Sequence, residues 1–329
     1  MFRRHIGWIV TCFAILCFFS RAGQPGQRPK SKDRPRVGSQ QPIDSSVTND
    51  AIRVQVNLVN LTCSVVDKSS RFVTSLTRED FQVIEDGVPQ QIKNFARESN
   101  LPLRIALLID TSESVISKLK FEQEAATRFF STVLREPDRG LLVEFDSGVT
   151  LLQDFTNDVN RLARELKNLR AGGGTSLNDA IYQISDEKLL TTTGRKAIIL
   201  ITDGEDTSSK YSFDEALEMA QRAEATVFAI STNKAAFFGG GGHHGTKNGD
   251  RVLTQLTEDT GGKVFFPAKA DDLDMTFRQI SEELRSQYSV GYISTNTKRD
   301  GTYRGLQVKL IDNKRLRIRH RKGYYAPTG

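Results

Sequence analysis

The sequence predicts an α/β protein, with a mostly parallel six-stranded sheet inserted in a small β-sandwich-like module. Three observations predict it. Ile105-Ala106-Leu107-Leu108-Ile109 and Ala197-Ile198-Ile199-Leu200-Ile201 are unbroken apolar runs, the pattern of strands covered on both faces. Strand-like and helix-like stretches alternate from residue 103 to residue 285. Short stretches of strand pattern without helices flank that segment on both sides, and each is too small to stand alone.

Taken in order, the chain opens on an address. Arg3 and Arg4 precede an apolar stretch from Ile6 to Phe19, and Ser20-Arg21-Ala22 offers small residues for cleavage. Residues 1–22 therefore read as the signal peptide of a secreted or periplasmic protein. The stretch is short for a spanning helix, and an uncleaved membrane anchor is the alternative. Bulky Leu16 ahead of Cys17 does not suit a lipoprotein cleavage site. Cys12 and Cys17 fall inside this segment, so only Cys63 remains and no internal disulfide can form. Residues 23–50 are rich in Gly, Pro, Gln, Ser and Lys and poor in apolar residues, a disordered linker.

Residues 51–100 carry the first β stretch. Val54, Val56 and Leu58, then Leu61, Cys63 and Val65, suggest one strand or two short ones. Phe81 to Phe95 reads as a hairpin around Asp86-Gly87. Residues 101–286 form the layered domain. Its expected strands are 104–110, 141–146, 149–155, 197–202, 226–231 and 263–267. Its expected helices are 114–135, 157–169, 177–190, 213–225, 250–259 and 271–285. The pair around Asp146-Ser147-Gly148 makes one sheet neighbour antiparallel. Residues 287–329 return to strands at 288–293, 303–311 and 315–321, which complete the β unit begun at residue 52.

The chemistry gathers where strands end. Asp110, Ser112 and Ser114 alternate on the turn after the first buried run, at the carboxyl end of a central strand, where open α/β sheets bind ligands. Gly172-Gly173-Gly174 turns the chain sharply ahead of Thr175, and the second buried run ends in Asp203. Two carboxylates and three hydroxyls on three loops are hard oxygen donors that suit Mg²⁺ or Mn²⁺ better than zinc. The alternative is that Asp110 and Thr175 cap helices while the serines and Asp203 are solvated turn residues.

With these residues in place, Asp110-x-Ser112-x-Ser114, Gly174-Thr175 and Asp203-Gly204 resemble the metal-ion-dependent adhesion site of the von Willebrand factor type A (VWA) domain family, over about residues 103–285. The wider layout, with Phe81 to Gly87 before and Arg321-Lys322-Gly323-Tyr324-Tyr325 after, is similar to secreted bacterial VWA-related proteins. The resemblance implies a doubly wound sheet with one antiparallel edge strand. It implies Mg²⁺ ligated by Ser112, Ser114 and Thr175, with Asp110 and Asp203 acting directly or through water. It implies an open coordination position that accepts an Asp or Glu of a partner protein.

Other classes fit poorly. The net charge of +6 is concentrated in residues 298–322, where ten Lys or Arg face only Asp300 and Asp312, so no general nucleic-acid binder is implied. No Lys follows the glycines at 172–174 as in a P-loop, and no G-x-G-x-x-G follows the first strand. His243 and His244 lie in a glycine-rich loop with no third clustered ligand, and nothing in the spacing suggests a hydrolase triad. Arg315, Arg317, Arg319 and Arg321 alternate, which on one strand sets four guanidiniums on a face for an anionic envelope surface or simply for solvent. The reading is a non-enzymatic, adhesion-type binding module, the alternative being an accessory or scaffold subunit of an envelope enzyme complex.

Overall fold

A computed structural model of the chain describes residues 58–97, 101–233, 247–267, 271–311 and 315–329. The expected signal segment and linker, Val54, Val56, and the loop with His243 and His244 lie outside these residues. The elements in chain order are β1 (Leu58–Val66), β2 (Phe81–Glu85), β3 (Val88–Gln90), β4 (Ile92–Arg97), β5 (Leu103–Asp110), α1 (Leu119–Val133), β6 (Arg139–Phe145), β7 (Val149–Thr156), α2 (Val159–Asn168), α3 (Leu177–Ile184), β8 (Arg195–Thr202), α4 (Phe213–Arg222), β9 (Ala225–Ser231), α5 (Lys247–Thr260), β10 (Val264–Phe265), α6 (Asp271–Arg285), β11 (Tyr288–Ile293), β12 (Tyr303–Leu310), β13 (Arg317–Arg319) and β14 (Gly323–Tyr325).

The central sheet has six strands in the order β10-β9-β8-β5-β6-β7. All its pairings are parallel except β6 with the edge strand β7. The unbroken apolar run of β5 follows from burial on both faces. Ile105, Leu107 and Ile109 pack with Phe129 and Phe130 of α1, Leu166 of α2 and Phe277 of α6. Ala106 and Leu108 pack on the other face with Ile181 of α3, Ala220 of α4 and Leu253 of α5. Each of the Leu, Ile and Phe side chains contributes about 1.5–3 kcal/mol by leaving water, so the sheet is fixed between two helical layers. The strand order reverses between β5 and β8, and their carboxyl ends bound the crevice where doubly wound sheets take ligands.

The expected helix 114–135 is shorter. A single 3-10 turn, Glu113–Val115, precedes α1, which starts at Leu119. The Ser112 amide turns back to the Asp110 carboxylate at 2.9 Å, and this local bond competes with helix formation directly after the strand.

Two further sheets, β13-β1-β11-β4 and β14-β12-β2-β3, share one core that includes Leu61, Val65, Val83, Tyr288, Val290 and Val308. In each of them strands from before the α/β segment pair with strands from after it. The expected hairpin is shorter than Phe81 to Phe95. β2 and β3 close tightly through Asp86 (φ 47°) and Gly87 (φ 83°), but the chain leaves at Gln91 and β4 pairs with β11 in the other sheet. The expected strand 315–321 is likewise cut to β13, and the chain turns into β14, which the sequence reading left unassigned.

One buried polar cluster joins the two ends of the chain. Glu85 of β2 accepts hydrogen bonds from Tyr292 Oη (2.6 Å), Ser294 Oγ (2.6 Å) and Tyr324 Oη (3.1 Å), and it faces Arg304 at 3.5 Å. Arg304 is fully buried and donates to the Asn296 carbonyl at 2.7 Å and to the Lys298 carbonyl. Burial and the hydrogen bond to Glu85 both raise the Tyr292 phenol above its ordinary value. Removing one partner of such a pair leaves an uncompensated buried charge, at a cost of about 3–5 kcal/mol. Glu85→Ala should lose stability on that scale in urea denaturation, whereas the double variant Glu85→Leu/Arg304→Met should recover part of it. A loss in the double variant equal to or larger than in the single one would contradict this account of the cluster.

Candidate functional site

β5 ends in Asp110, which is fully buried, and β8 ends in Thr202, one residue before Asp203. The strands run in register through Ile109 and Ile201, so Asp110 and Thr202 lie level across the crevice. Thr202 Oγ1 donates to Asp110 Oδ2 at 2.7 Å and accepts from the Gly204 amide at 3.1 Å. With the Ser112 amide on Oδ1, both oxygens of Asp110 are held in place. Burial raises the Asp110 carboxyl above its ordinary value, and the neighbouring Asp203 charge adds to the shift.

The hydroxyls continue outward. Ser112 Oγ and Ser114 Oγ are 3.0 Å apart, and Ser114 Oγ donates to Asp203 Oδ2 at 3.2 Å. Asp203 Oδ1 accepts from the Glu205 amide at 3.0 Å. Asp110 and Ser112 are buried, Asp203 is half-buried and Ser114 is exposed, so the row runs from the interior to the surface.

Thr175 sits on the loop before α3 and makes no hydrogen bond to the other four. Its loop is tied to both of theirs through the backbone. The Gly172 amide donates to the Thr111 carbonyl at 2.7 Å and the Glu113 amide to the Gly173 carbonyl at 3.3 Å. The Thr207 and Ser208 amides donate to the Thr175 carbonyl at 2.9 and 3.0 Å, and Thr207 Oγ1 accepts from the Thr175 amide at 2.9 Å. Two glycines permit these approaches. Gly173 has φ +82°, and a Cβ there would meet Ser147 Oγ at 2.8 Å. Gly204 has φ +79°, and a Cβ there would meet the Gly249 carbonyl oxygen at 2.6 Å, which seats α5 against the Asp203 turn.

Sequence reasoning missed several residues here. The apolar run marks Thr202 only as the end of a strand. Asn233 Nδ2 donates to the Asp203 carbonyl (2.7 Å) and to Asp250 Oδ1 (2.9 Å), joining β8, the end of β9 and α5. Lys118 Nζ donates to the Thr232 carbonyl at 2.8 Å. Glu122, in the first turn of α1, is 1% exposed and neither carboxylate oxygen has a hydrogen-bond partner. Burial pushes its carboxyl up to about 8, and the Asp110 and Asp203 charges push the same way against Lys118. A glutamate at an inward helical position is legible, but only its missing partners mark it as special.

The expected four-arginine face does not form. Arg315 and Arg317 are exposed, but Arg319 pairs with buried Glu283 of α6 at 2.5 Å, and Arg321 is 8% exposed against Glu224. The strand ends at Arg319, so strict alternation does not extend to Arg321.

The donor set fits a hard divalent cation: two carboxylates and hydroxyls, with no soft ligand. Among the described residues no group of three or more His, Cys, Asp or Glu is placed to hold a metal, so hydroxyls must complete such a site.

Residues 105–205 match the family model of the von Willebrand factor type A domain. With the six-stranded sheet and its single antiparallel edge, the chain carries a VWA domain, a class of protein-interaction module. No curated protein matches the sequence. Among solved structures it is similar to BatB from Bacteroides thetaiotaomicron (17% identity over 56% of this chain and 100% of that one, TM-score 0.45). It is similar to the vWF domain of the type V pili tip protein Mfa5 from Porphyromonas gingivalis (16%, 56% and 95%, TM-score 0.43). It is also similar to a von Willebrand factor type A protein from Catenulispora acidiphila (12%, 83% and 74%, TM-score 0.45). Among the described residues no helix is long and apolar enough to cross a membrane.

The position of Glu122 sets a pH dependence. Its native carboxyl titrates near 8, against an ordinary value of 4.5. Between those values the native state binds the extra proton, so stability falls as pH rises. In EDTA, the urea midpoint of the wild type should decline relative to Glu122→Gln across that window. Parallel pH profiles for the two proteins would contradict the buried, protonated state.

Proposed function

We propose that this chain is a secreted or periplasmic binding protein whose Asp110, Ser112, Ser114, Thr175 and Asp203 hold Mg²⁺ or Mn²⁺, and that the ion takes a carboxylate from an Asp or Glu of a partner protein. The observation that carries this reading is the continuous row from buried Asp110 through Ser112 and Ser114 to Asp203 at the crevice between β5 and β8. The bound ion would supply positive charge at the surface end of that row. The chain's own residues do the rest. Thr202 and the Ser112 amide fix the angle of Asp110, and the Glu205 amide fixes Asp203. Exposed Ser114 leaves the outer side open to a partner group.

No nucleophile and base are paired across this row, so binding rather than turnover is the reading. The large apolar core does not depend on the ion, and the metal-free protein should stay folded. Calorimetry should register Mg²⁺ and Mn²⁺ binding in the wild type, its loss in Asp110→Ala and Asp203→Ala, and weaker binding in Thr175→Ala with the circular dichroism spectrum unchanged. Metal binding that persists in both aspartate variants would overturn the assignment. For the partner, capture that depends on Mg²⁺ and is abolished by EDTA is expected, and capture indifferent to both would place the interface elsewhere.

A further inference from the structure

A second chemically distinct place lies at the other end of the sheet. The amino ends of β5, β8 and β9 close around a cavity of ≈ 150 Å³. Leu103 starts β5 at this cavity, and roughly 23 Å of strand separates it from Asp110. The walls come from both parts of the molecule. Arg195, Lys196 and Glu224 belong to the α/β domain, while Asn60 of β1 and Arg321, between β13 and β14, belong to the β sheets. Three cations and one acid leave the lining with an excess of positive charge.

The donors are only partly used. Arg321 Nη2 donates to the Asn60 carbonyl (2.9 Å) and to Glu224 Oε1 (3.1 Å), while its buried Nε and Nη1 have no hydrogen-bond partner. Arg195 Nη1 donates to the Leu284 carbonyl at the end of α6 (2.6 Å), and Nε reaches the Leu101 carbonyl at 3.5 Å. Lys196 is half-buried, and its side chain makes no hydrogen bond or ion pair with a described residue. Burial holds the Lys196 ammonium below its ordinary value; Glu224 opposes the shift and Arg321 adds to it. Burial also takes Arg195 down to about 10, with Arg285 adding. Arg321 Nε and Nη1 are themselves closed off, so the cavity is met by the Lys196 ammonium and the remaining guanidinium edges. Cations gathered largely out of water are unfavourable unless an acceptor of opposite charge joins them.

We propose that this cavity binds a phosphate-type oxyanion, free or as a phosphomonoester, between Arg195, Lys196 and Arg321. The volume admits a small anion. A carboxylate would neutralise only one cation, whereas a phosphate carries about −1.5 to −2 at neutral pH and offers oxygens in several directions. Donors arriving from β8 and from the β13–β14 segment match that shape. A bound oxyanion would brace the β sheets against the amino ends of the α/β strands, independently of any metal at Asp110.

Phosphate stabilises folded proteins non-specifically by exclusion from their surfaces. The test is therefore saturable heat in calorimetry of the full chain with inorganic phosphate, in EDTA and at fixed ionic strength. One-to-one binding is expected. Lys196→Gln should weaken it at least tenfold, Glu224→Gln should tighten it several-fold, and Asp110→Ala should leave it unchanged. Glycerol phosphate bound as tightly as inorganic phosphate identifies a phosphomonoester, and its exclusion identifies the free ion; both outcomes support the site. Non-saturating heats, affinity unchanged in both Lys196→Gln and Glu224→Gln, or acetate bound as tightly as phosphate would overturn it. Because the Lys196 side chain bonds to no described residue, its replacement should keep the fold even where Arg321→Gln does not.

Discussion

Two carboxylates set at the ends of adjacent parallel strands are the constraint on which the rest of the structure depends. β5 and β8 pair in register, so the chain cannot bury both runs without bringing Asp110 beside the Asp203 turn. Like charges in a poorly solvated crevice oppose one another, and the raised Asp110 carboxyl reflects burial first and Asp203 second. The fold surrounds the pair with fixed donors. Thr202, the Ser112 amide and the Glu205 amide point hydrogens at these oxygens, and Lys118 tethers the segment leading into α1 to the end of β9. Buried Glu122 adds a third carboxyl with no donor of its own. An arrangement that collects acids and hydroxyls at a switch point would become favourable on the proposed binding of a hard cation.

The β sheets impose a second constraint from the opposite side. Neither flanking stretch supplies a complete sheet, so the ends of the chain must meet before either is stable. Glu85 makes that meeting specific, because among the described residues its acceptor oxygens are satisfied by Tyr292, Ser294, Arg304 and Tyr324, all from beyond the α/β segment. Further ties run across the seam. Arg319 pairs with Glu283 of α6, and Arg321 reaches Glu224 beside β9. The amino ends of the α/β strands are thus held by charged contacts.

Much of this was legible in the sequence where burial on both faces leaves no alternative. The runs Ile105–Ile109 and Ala197–Ile201 announce central strands, and a carboxylate at the end of each announces the crevice. The loops of Ser112, Ser114 and Thr175 were legible from local chemistry as turns, since glycines and hydroxyls favour them, and their position after buried strands set them at the crevice. Charged residues inside the structure were not. Glu85, Arg304 and Glu122 stand at inward phases of an alternating or helical pattern, but their charge reads as solvent-facing; the long-range partners of Glu85 and Arg304, and the burial of Glu122 without any, are visible only in three dimensions. Arg321 misled for the related reason that alternation assumes one continuous strand, whereas the chain bends after Arg319. The short β14 and the departure of β4 from its hairpin depend on a pairing partner nearly two hundred residues away, for β4, or on a sheet edge that no local pattern records, for β14.

The central claim is that Asp110 and Asp203 are kept together for a divalent cation. Urea denaturation of the wild type and Asp203→Asn, each in EDTA and in millimolar Mg²⁺, tests it most directly. Without metal, removing one of two opposing charges should make Asp203→Asn the more stable protein. With Mg²⁺ only the wild type gains the stabilisation of a native-state ligand, so the order should reverse. The same order of stability in both conditions would contradict the account.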